Sequence, residues 1–179
     1  MIPLKPLIAV PIGDPAGVGP EIVAKAMVNK EVKNTTRCVV IGDKNVMERA
    51  IAVTGADLRI RVVENPLDGR FGGDFLNLID MKNIDMSQYQ VGKVNGMCGK
   101  AAYEYIEKAV ELAKTNKVDA ISTTPINKKS LRMGGIPYIG HTEIFGALTG
   151  TKDPLTMFEV RGLRAVSYTH LDVYKRQCI

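Results

Sequence analysis

The chain has 179 residues, 45% of them apolar, and a formal net charge of +5. That size and composition suit one domain with a buried core, and no apolar run approaches the ~20 residues a membrane-spanning helix needs. The basic residues are scattered, with Lys128-Lys129 and Lys175-Arg176 the only notable doublets and no aromatics between them, which argues against a nucleic-acid stripe.

Cys38, Cys98 and Cys178 are odd in number, far apart and form no C-x-x-C pair. A disulfide scaffold and a zinc knuckle are therefore not expected, and a reduced, cytoplasmic setting is. The apolar N-terminus is short, broken by Pro3 and Pro6, and followed by Asp14 in place of a cleavage site. It reads as a first strand, not a signal peptide.

Leu7 to Ile12 is expected to be a buried strand, with Pro11 near its end where a lost donor costs least. Gly13-Asp-Pro-Ala-Gly-Val-Gly-Pro-Glu21 then turns into a helix from Ile22 to Met27, with Pro20 and Glu21 as start signals. This glycine-rich turn is either an anion-binding loop or a tight turn that needs flexible glycines. Its G-x-x-x-G-x-G spacing is not the dinucleotide fingerprint.

Arg37 to Gly42 reads as a second strand closed by Asp43, a turn-forming aspartate more than a ligand contact. Asn45 to Thr54 reads as a helix stopped by Gly55, and Leu58 to Val63 as a half-buried strand. A loop over 65–74, a strand from Phe75 to Ile79 and an irregular, exposed stretch to Gln90 follow. Gly92 to Lys100 fails as a phosphate loop, because Val94 and Ala101 occupy positions where that motif needs glycine and a hydroxyl.

Lys100 to Lys117 is expected to be a long amphipathic helix with Ala102, Tyr105, Ile106, Ala109 and Ala113 on the core face. Tyr103 and Tyr105 are read as packing residues. Val118 to Thr124 should be the next strand, with Asp119 at its mouth. It delivers Ser122-Thr-Thr-Pro-Ile-Asn-Lys-Lys129 to the carboxyl end of a sheet, where open α/β folds bind ligands. Asn127 to Met133 is a short helix ended by Gly134-Gly135, and Glu143 to Leu148 a further one. Residues 154–160 and 163–166 read as a hairpin around Arg161-Gly162.

The polar residues cluster between those last two helices. His141 follows the flexible Gly140, Thr142 offers a hydroxyl, and both suit an anionic or hydroxylated ligand. Lys128 can neutralise a phosphate.

Three ordered motifs carry a resemblance. Ile12-Gly-Asp-Pro-Ala-Gly-Val-Gly-Pro-Glu21, Thr123-Thr-Pro-Ile-Asn-Lys128 and Gly140-His-Thr-Glu143 together resemble the 4-hydroxythreonine-4-phosphate dehydrogenase (PdxA) family over roughly residues 6–164. The resemblance implies a Rossmann-like open α/β sheet of the isocitrate and isopropylmalate dehydrogenase type, truncated here, since family members are nearly twice this length. It implies a homodimer, NAD or NADP, and a divalent metal (Zn, Mg or Co). It also implies that His141 and Thr142 bind a phosphorylated small-molecule substrate.

The reaction implied is oxidation of 4-phosphohydroxy-L-threonine and decarboxylation to 3-amino-2-oxopropyl phosphate in pyridoxal phosphate biosynthesis. Relatives act instead on 4-phosphorylated threonate or erythronate. A non-catalytic phosphate-binding α/β module is the alternative from another class. Residues 1–165 follow the family, whereas 166–179 resemble translated adapter sequence found on unrelated environmental sequences. In the family a metal-binding histidine follows the last strand, and His170 falls about one residue early of that position. With the second half of the family pattern missing, the polypeptide by itself is expected to be poorly soluble or inactive.

Overall fold

Four apolar runs and one two-residue pairing build a parallel sheet, and parallel strands need crossovers that cover their faces. The computed structural model of the chain describes residues 5–167, in two compact units that meet in sequence at Ile139 and Gly140. In the first unit the strands are β1 (Leu7–Pro11), β2 (Arg37–Gly42), β3 (Arg59–Val62), β4 (Phe75–Asp80) and β5 (Ala120–Ile121), in the spatial order β3-β4-β2-β1-β5, all parallel.

The helices are α1 (Gly19–Val28), α2 (Lys30–Thr35), α3 (Lys44–Thr54), α4 (Gly96–Lys114) and α5 (Lys128–Met133). Right-handed crossovers put α1 and α3 on one face, where they pack together, and α4 on the other, across β1, β2 and β5. The chain leaves β1 toward β2 and returns to its other side as β5. The topological switch therefore falls between β1 and β5, at their carboxyl ends.

The core lies largely where the sequence places it, except that on α4 Leu112 is buried and Ala113, expected on the core face, is only half-buried. Leu7, Ala9, Val39, Val40, Ile41, Leu76 and Leu78 from the strands meet Tyr105, Ala109 and Leu112 from α4. Asp43 caps α3 through Oδ1, which accepts from the Asn45 and Val46 amides at 2.9 and 3.3 Å. Gly55, at φ 64°, ends that helix.

α1 begins at Gly19, three residues before the expected start, and four further differences from expectation bear on how the first unit packs. The first is α4, which begins at Gly96, four residues before the expected start, with Asn95 Oδ1 accepting from the Met97 amide at 2.8 Å. Its early glycines are a packing device: a Cβ on Gly99 would lie 2.0 Å from the Ser130 carbonyl, so α4 and α5 touch backbone to backbone. It ends at Lys114 because Asn116 turns into the left-handed region at φ 55°.

The second is β5, which has two residues instead of seven. After the Ser122 amide bonds to the Ala9 carbonyl at 2.9 Å, the chain leaves the ladder toward the glycine-rich turn. The third is Asp119, which lies at the amino end of β5, where its Oδ2 accepts from the Leu7 amide at 2.7 Å. It is not at the mouth of a crevice. The fourth is β3, which is mostly exposed because it is an edge strand.

The second unit holds α6 (His141–Thr149) and the antiparallel pair β6 (Thr156–Val160) and β7 (Leu163–Ser167). Arg161 and Gly162 turn the hairpin with φ 49° and 85°, the left-handed pair that two-residue hairpins favour. Gly150 at φ 72° ends α6.

Gly99→Ala should force α4 and α5 apart. The expected loss is about 1–3 kcal/mol in urea unfolding. Unchanged stability would mean the two helices are not in the contact described.

Candidate substrate site

The residues that can hold an anion open α6. Gly140 is extended (φ −174°, ψ −175°) and, having no side chain, caps no amide of the first turn. His141, Thr142 and Glu143 form that turn. Helix N-termini gather backbone donors and a partial positive charge, which suits phosphate or carboxylate.

Phe145, one turn on, lies against the His141 ring with centroids 6.3 Å apart and planes 21° from parallel, which limits where the imidazole can point. Its Nε2 is shut off from solvent. Thr142 is exposed and its hydroxyl can donate. Glu143 places a carboxylate in the same turn, so a bound dianion needs the imidazole and hydroxyl donors beside it. The helix starts two residues earlier than expected, which moves His141 and Thr142 from a loop onto a fixed helical turn.

Lys128 belongs to the first unit. It is the exposed first residue of α5, whose amides at Lys129 and Ser130 are already taken by Asn127 Oδ1 at 2.9 and 3.2 Å. Any anion held by Lys128 is therefore held by its ammonium and not by that helix end. His141 and Thr142 stand together in one turn. His170 lies outside the described residues.

The glycine-rich turn is a tight turn. A Cβ on Gly13 would meet the Pro125 carbonyl oxygen at 2.3 Å, and one on Gly19 the Ile12 carbonyl oxygen at 2.1 Å. The Asp14 amide donates to Pro125 O at 3.1 Å, and Thr124 Oγ1 to Pro11 O at 3.2 Å. These glycines are used to bring two backbones together and leave no phosphate cradle between them.

Sequence reasoning passed over two residues here. Asp14 is only 3% exposed and Ser130 is fully buried. Asp14 Oδ1 accepts from the Ala16 amide at 2.9 Å, and the Ser130 hydroxyl donates to the same carboxylate. The Asn95 amide donates to Ser130 Oγ at 3.4 Å. One buried carboxylate thus ties the turn after β1 to α5 and to the start of α4. The available signal was an aspartate placed directly after a buried strand, where water is scarce.

Among the described residues no group of three or more His, Cys, Asp or Glu could hold a metal ion. Cys98 is buried, and its thiol is pushed up to about 11, first by burial and then by the Asp14 charge, so it offers no thiolate at neutral pH. The described residues by themselves thus do not fit a metal centre.

An open, all-parallel sheet whose switch point falls between β1 and β5 is the architecture of α/β proteins that bind small molecules at their strand ends. Sequence comparison narrows this: the profile of the family described as "Pyridoxal phosphate biosynthetic protein PdxA" matches residues 34–175. The chain belongs to that family.

A protein of Fusobacterium nucleatum named "Putative D-threonate 4-phosphate dehydrogenase" is 52% identical over 175 residues, 98% of this chain and 53% of its own length. One of Clostridium botulinum with the same name is 49% identical over 178 residues, 99% of this chain and 53% of its own. Among solved structures, a 4-hydroxythreonine-4-phosphate dehydrogenase from Burkholderia phymatum superposes with TM-score 0.89 at 37% identity, over 97% of this chain and 52% of that one. Its counterpart from Klebsiella pneumoniae gives 0.86 at 30%, over 98% and 53%. The chain spans about half the length of the relatives it matches. The expected fold class, an open α/β sheet truncated relative to those enzymes, is the one found.

Burial holds the Asp14 carboxyl above its ordinary value of 3.8, while the Ala16 amide and the Ser130 hydroxyl pull it partly back. The folded chain then binds this proton more tightly than the unfolded chain does. Its contribution to stability is present at low pH and is lost as pH rises from 3.8 through the raised value. Asp14→Asn removes that loss. The stability of the variant relative to the parent, from urea midpoints, should climb across this window and then level off; a difference independent of pH contradicts the account.

Proposed function

We propose that the complete protein is an NAD- or NADP-dependent dehydrogenase that requires a divalent metal, and that it oxidises the secondary alcohol of a 4-phosphorylated hydroxy acid. His141 and Thr142 hold the phosphate. The observation that carries this reading is the first turn of α6, where an imidazole and a hydroxyl stand beside a cap that offers no side chain. Family membership and the dehydrogenase names of the relatives support it.

The substrate favoured is of the threonate type, because relatives near 50% identity carry that name. The second reading, 4-phosphohydroxy-L-threonine and the pyridoxal phosphate route, is favoured by the family description and the names of the solved structures. The two substrates share the phosphate, hydroxyl and carboxylate and differ at C2, where one carries hydroxyl and the other amino.

In either case this chain supplies binding and orientation. The α6 turn grips the phosphate end. The far end of the substrate, with its alcohol and carboxylate, is thereby fixed for chemistry. A nicotinamide, when bound, would supply the acceptor for the hydride of the alcohol carbon, and the resulting β-keto acid can lose carbon dioxide.

Residues of the complete protein beyond this chain would supply the rest of the cofactor and metal sites. A homodimer and a cytoplasmic location belong to the same proposal; no helix among the described residues is long and apolar enough to cross a membrane. Residues 166–179 are proposed to be foreign to the natural protein, which resequencing of the source DNA across codon 165 checks.

In the complete protein, His141→Ala and Thr142→Ala should each lower kcat/KM for the phosphorylated acid about tenfold to a hundredfold, as loss of a charge-assisted hydrogen bond does. The effect should fall mainly on KM. Unchanged kinetics in both variants would remove the α6 turn from the substrate site.

A further inference from the structure

A second site stands at the other end of the sheet. A cavity of about 620 Å³ opens at the amino ends of the strands, beside Lys5 before β1, Arg37 at the start of β2 and Phe75 at the start of β4. The switch point and the 122–127 segment are at the carboxyl ends, a strand length away. Among the described residues its lining carries four cations, Lys5, Lys33, Arg37 and Arg70, and no acidic side chain. Lys33 Nζ lies 3.8 Å from Asp74 Oδ1, a long ion pair to a residue outside the lining.

Both guanidinium groups are held in place. Arg37 lies over the Phe71 ring at 5.4 Å, and its Nε donates to the Lys5 carbonyl at 2.9 Å. Arg70 lies over the Phe75 ring at 4.5 Å. Stacking fixes the plane of a guanidinium and leaves its N–H edges to reach an anion bidentately.

The loop that presents Arg70 is pinned by Asn77, a strand residue only 3% exposed. Asn77 Oδ1 accepts from the Arg70 amide at 2.8 Å, and Nδ2 donates to the Arg70 carbonyl at 3.1 Å. A buried amide spent on one loop residue is a costly way to hold an ordinary surface arginine. The carboxyl end of α2 also borders the cavity, and its negative pole would oppose an anion. Lys5 answers that, since its Nζ donates to the Lys33 carbonyl at 3.0 Å.

We propose that this cavity binds a phosphate dianion, free or as the head of a phosphorylated metabolite, with Arg37 and Arg70 as its paired donors. The volume suits a small phosphate ester. The proposal is independent of the dehydrogenase reading, because no residue of the α6 turn takes part.

Calorimetric titration of the 179-residue chain with inorganic phosphate, glycerol 3-phosphate and glycerol tests it. Phosphate or its ester should bind and glycerol should not; tighter binding of the ester marks a metabolite site, and equal binding a free-phosphate site. Arg37→Gln/Arg70→Gln, with the fold checked by circular dichroism, should abolish binding. Should that pair fail to fold, Arg70→Lys keeps the charge and loses the fork, and binding should weaken about tenfold. No binding by the parent, or binding unchanged in a folded variant, overturns the proposal.

Discussion

The close approach of two backbones organises the first unit. The turn after β1 and the segment after β5 meet through the Asp14 amide and the Pro125 carbonyl, and Gly13 and Gly19 are bare where a Cβ would collide. This contact stops β5 after two residues and draws the chain toward α5. Asp14 and Ser130 lock the same junction from inside, and Gly99 lets α4 press on α5 from the other side. A parallel sheet has no hairpin to hold its switch point together, so this junction supplies the constraint.

Much of the fold was legible because its signals are local. β2 runs over the residues that an uninterrupted apolar run between polar ends marks out, and Asp43, Gly55 and Arg161-Gly162 act as the cap, stop and hairpin turn their residue types announce. The failures are tertiary. Nothing in Gly96-Met-Cys-Gly99 says that its glycines are helical contact points, because the neighbour they touch is some thirty residues later in sequence. Asp119 is expected at the mouth of its strand, yet it precedes β5 and its partner, the Leu7 amide at the start of β1, is more than a hundred residues away in sequence, so its structural task has no local signal.

The candidate site shows the same division between local and tertiary signals. His141 and Thr142 were picked from residue type and a neighbouring glycine, and the structure sets both on the first turn of α6. The glycine-rich turn left an anion loop and a tight turn equally open. Only the distances to Pro125 and Ile12 decide for the turn, and no local pattern contains them. Asp14 was missed for the same reason: its burial depends on α5 arriving from a distant part of the chain.

The hairpin of the second unit exposes Met157, Phe158, Val160, Leu163 and Val166. A two-stranded ribbon with so much apolar surface is poorly stable by itself. That agrees with a chain that spans about half the length of its relatives.

The central claim is that recognition by this half of the protein is recognition of a phosphate. NADH formation by the complete protein with D-threonate 4-phosphate and with unphosphorylated D-threonate tests it most directly. The account predicts turnover of the phosphorylated acid and a kcat/KM at least a hundredfold lower for the free acid, about 2.7 kcal/mol of lost binding. Equal rates with the two acids would contradict it.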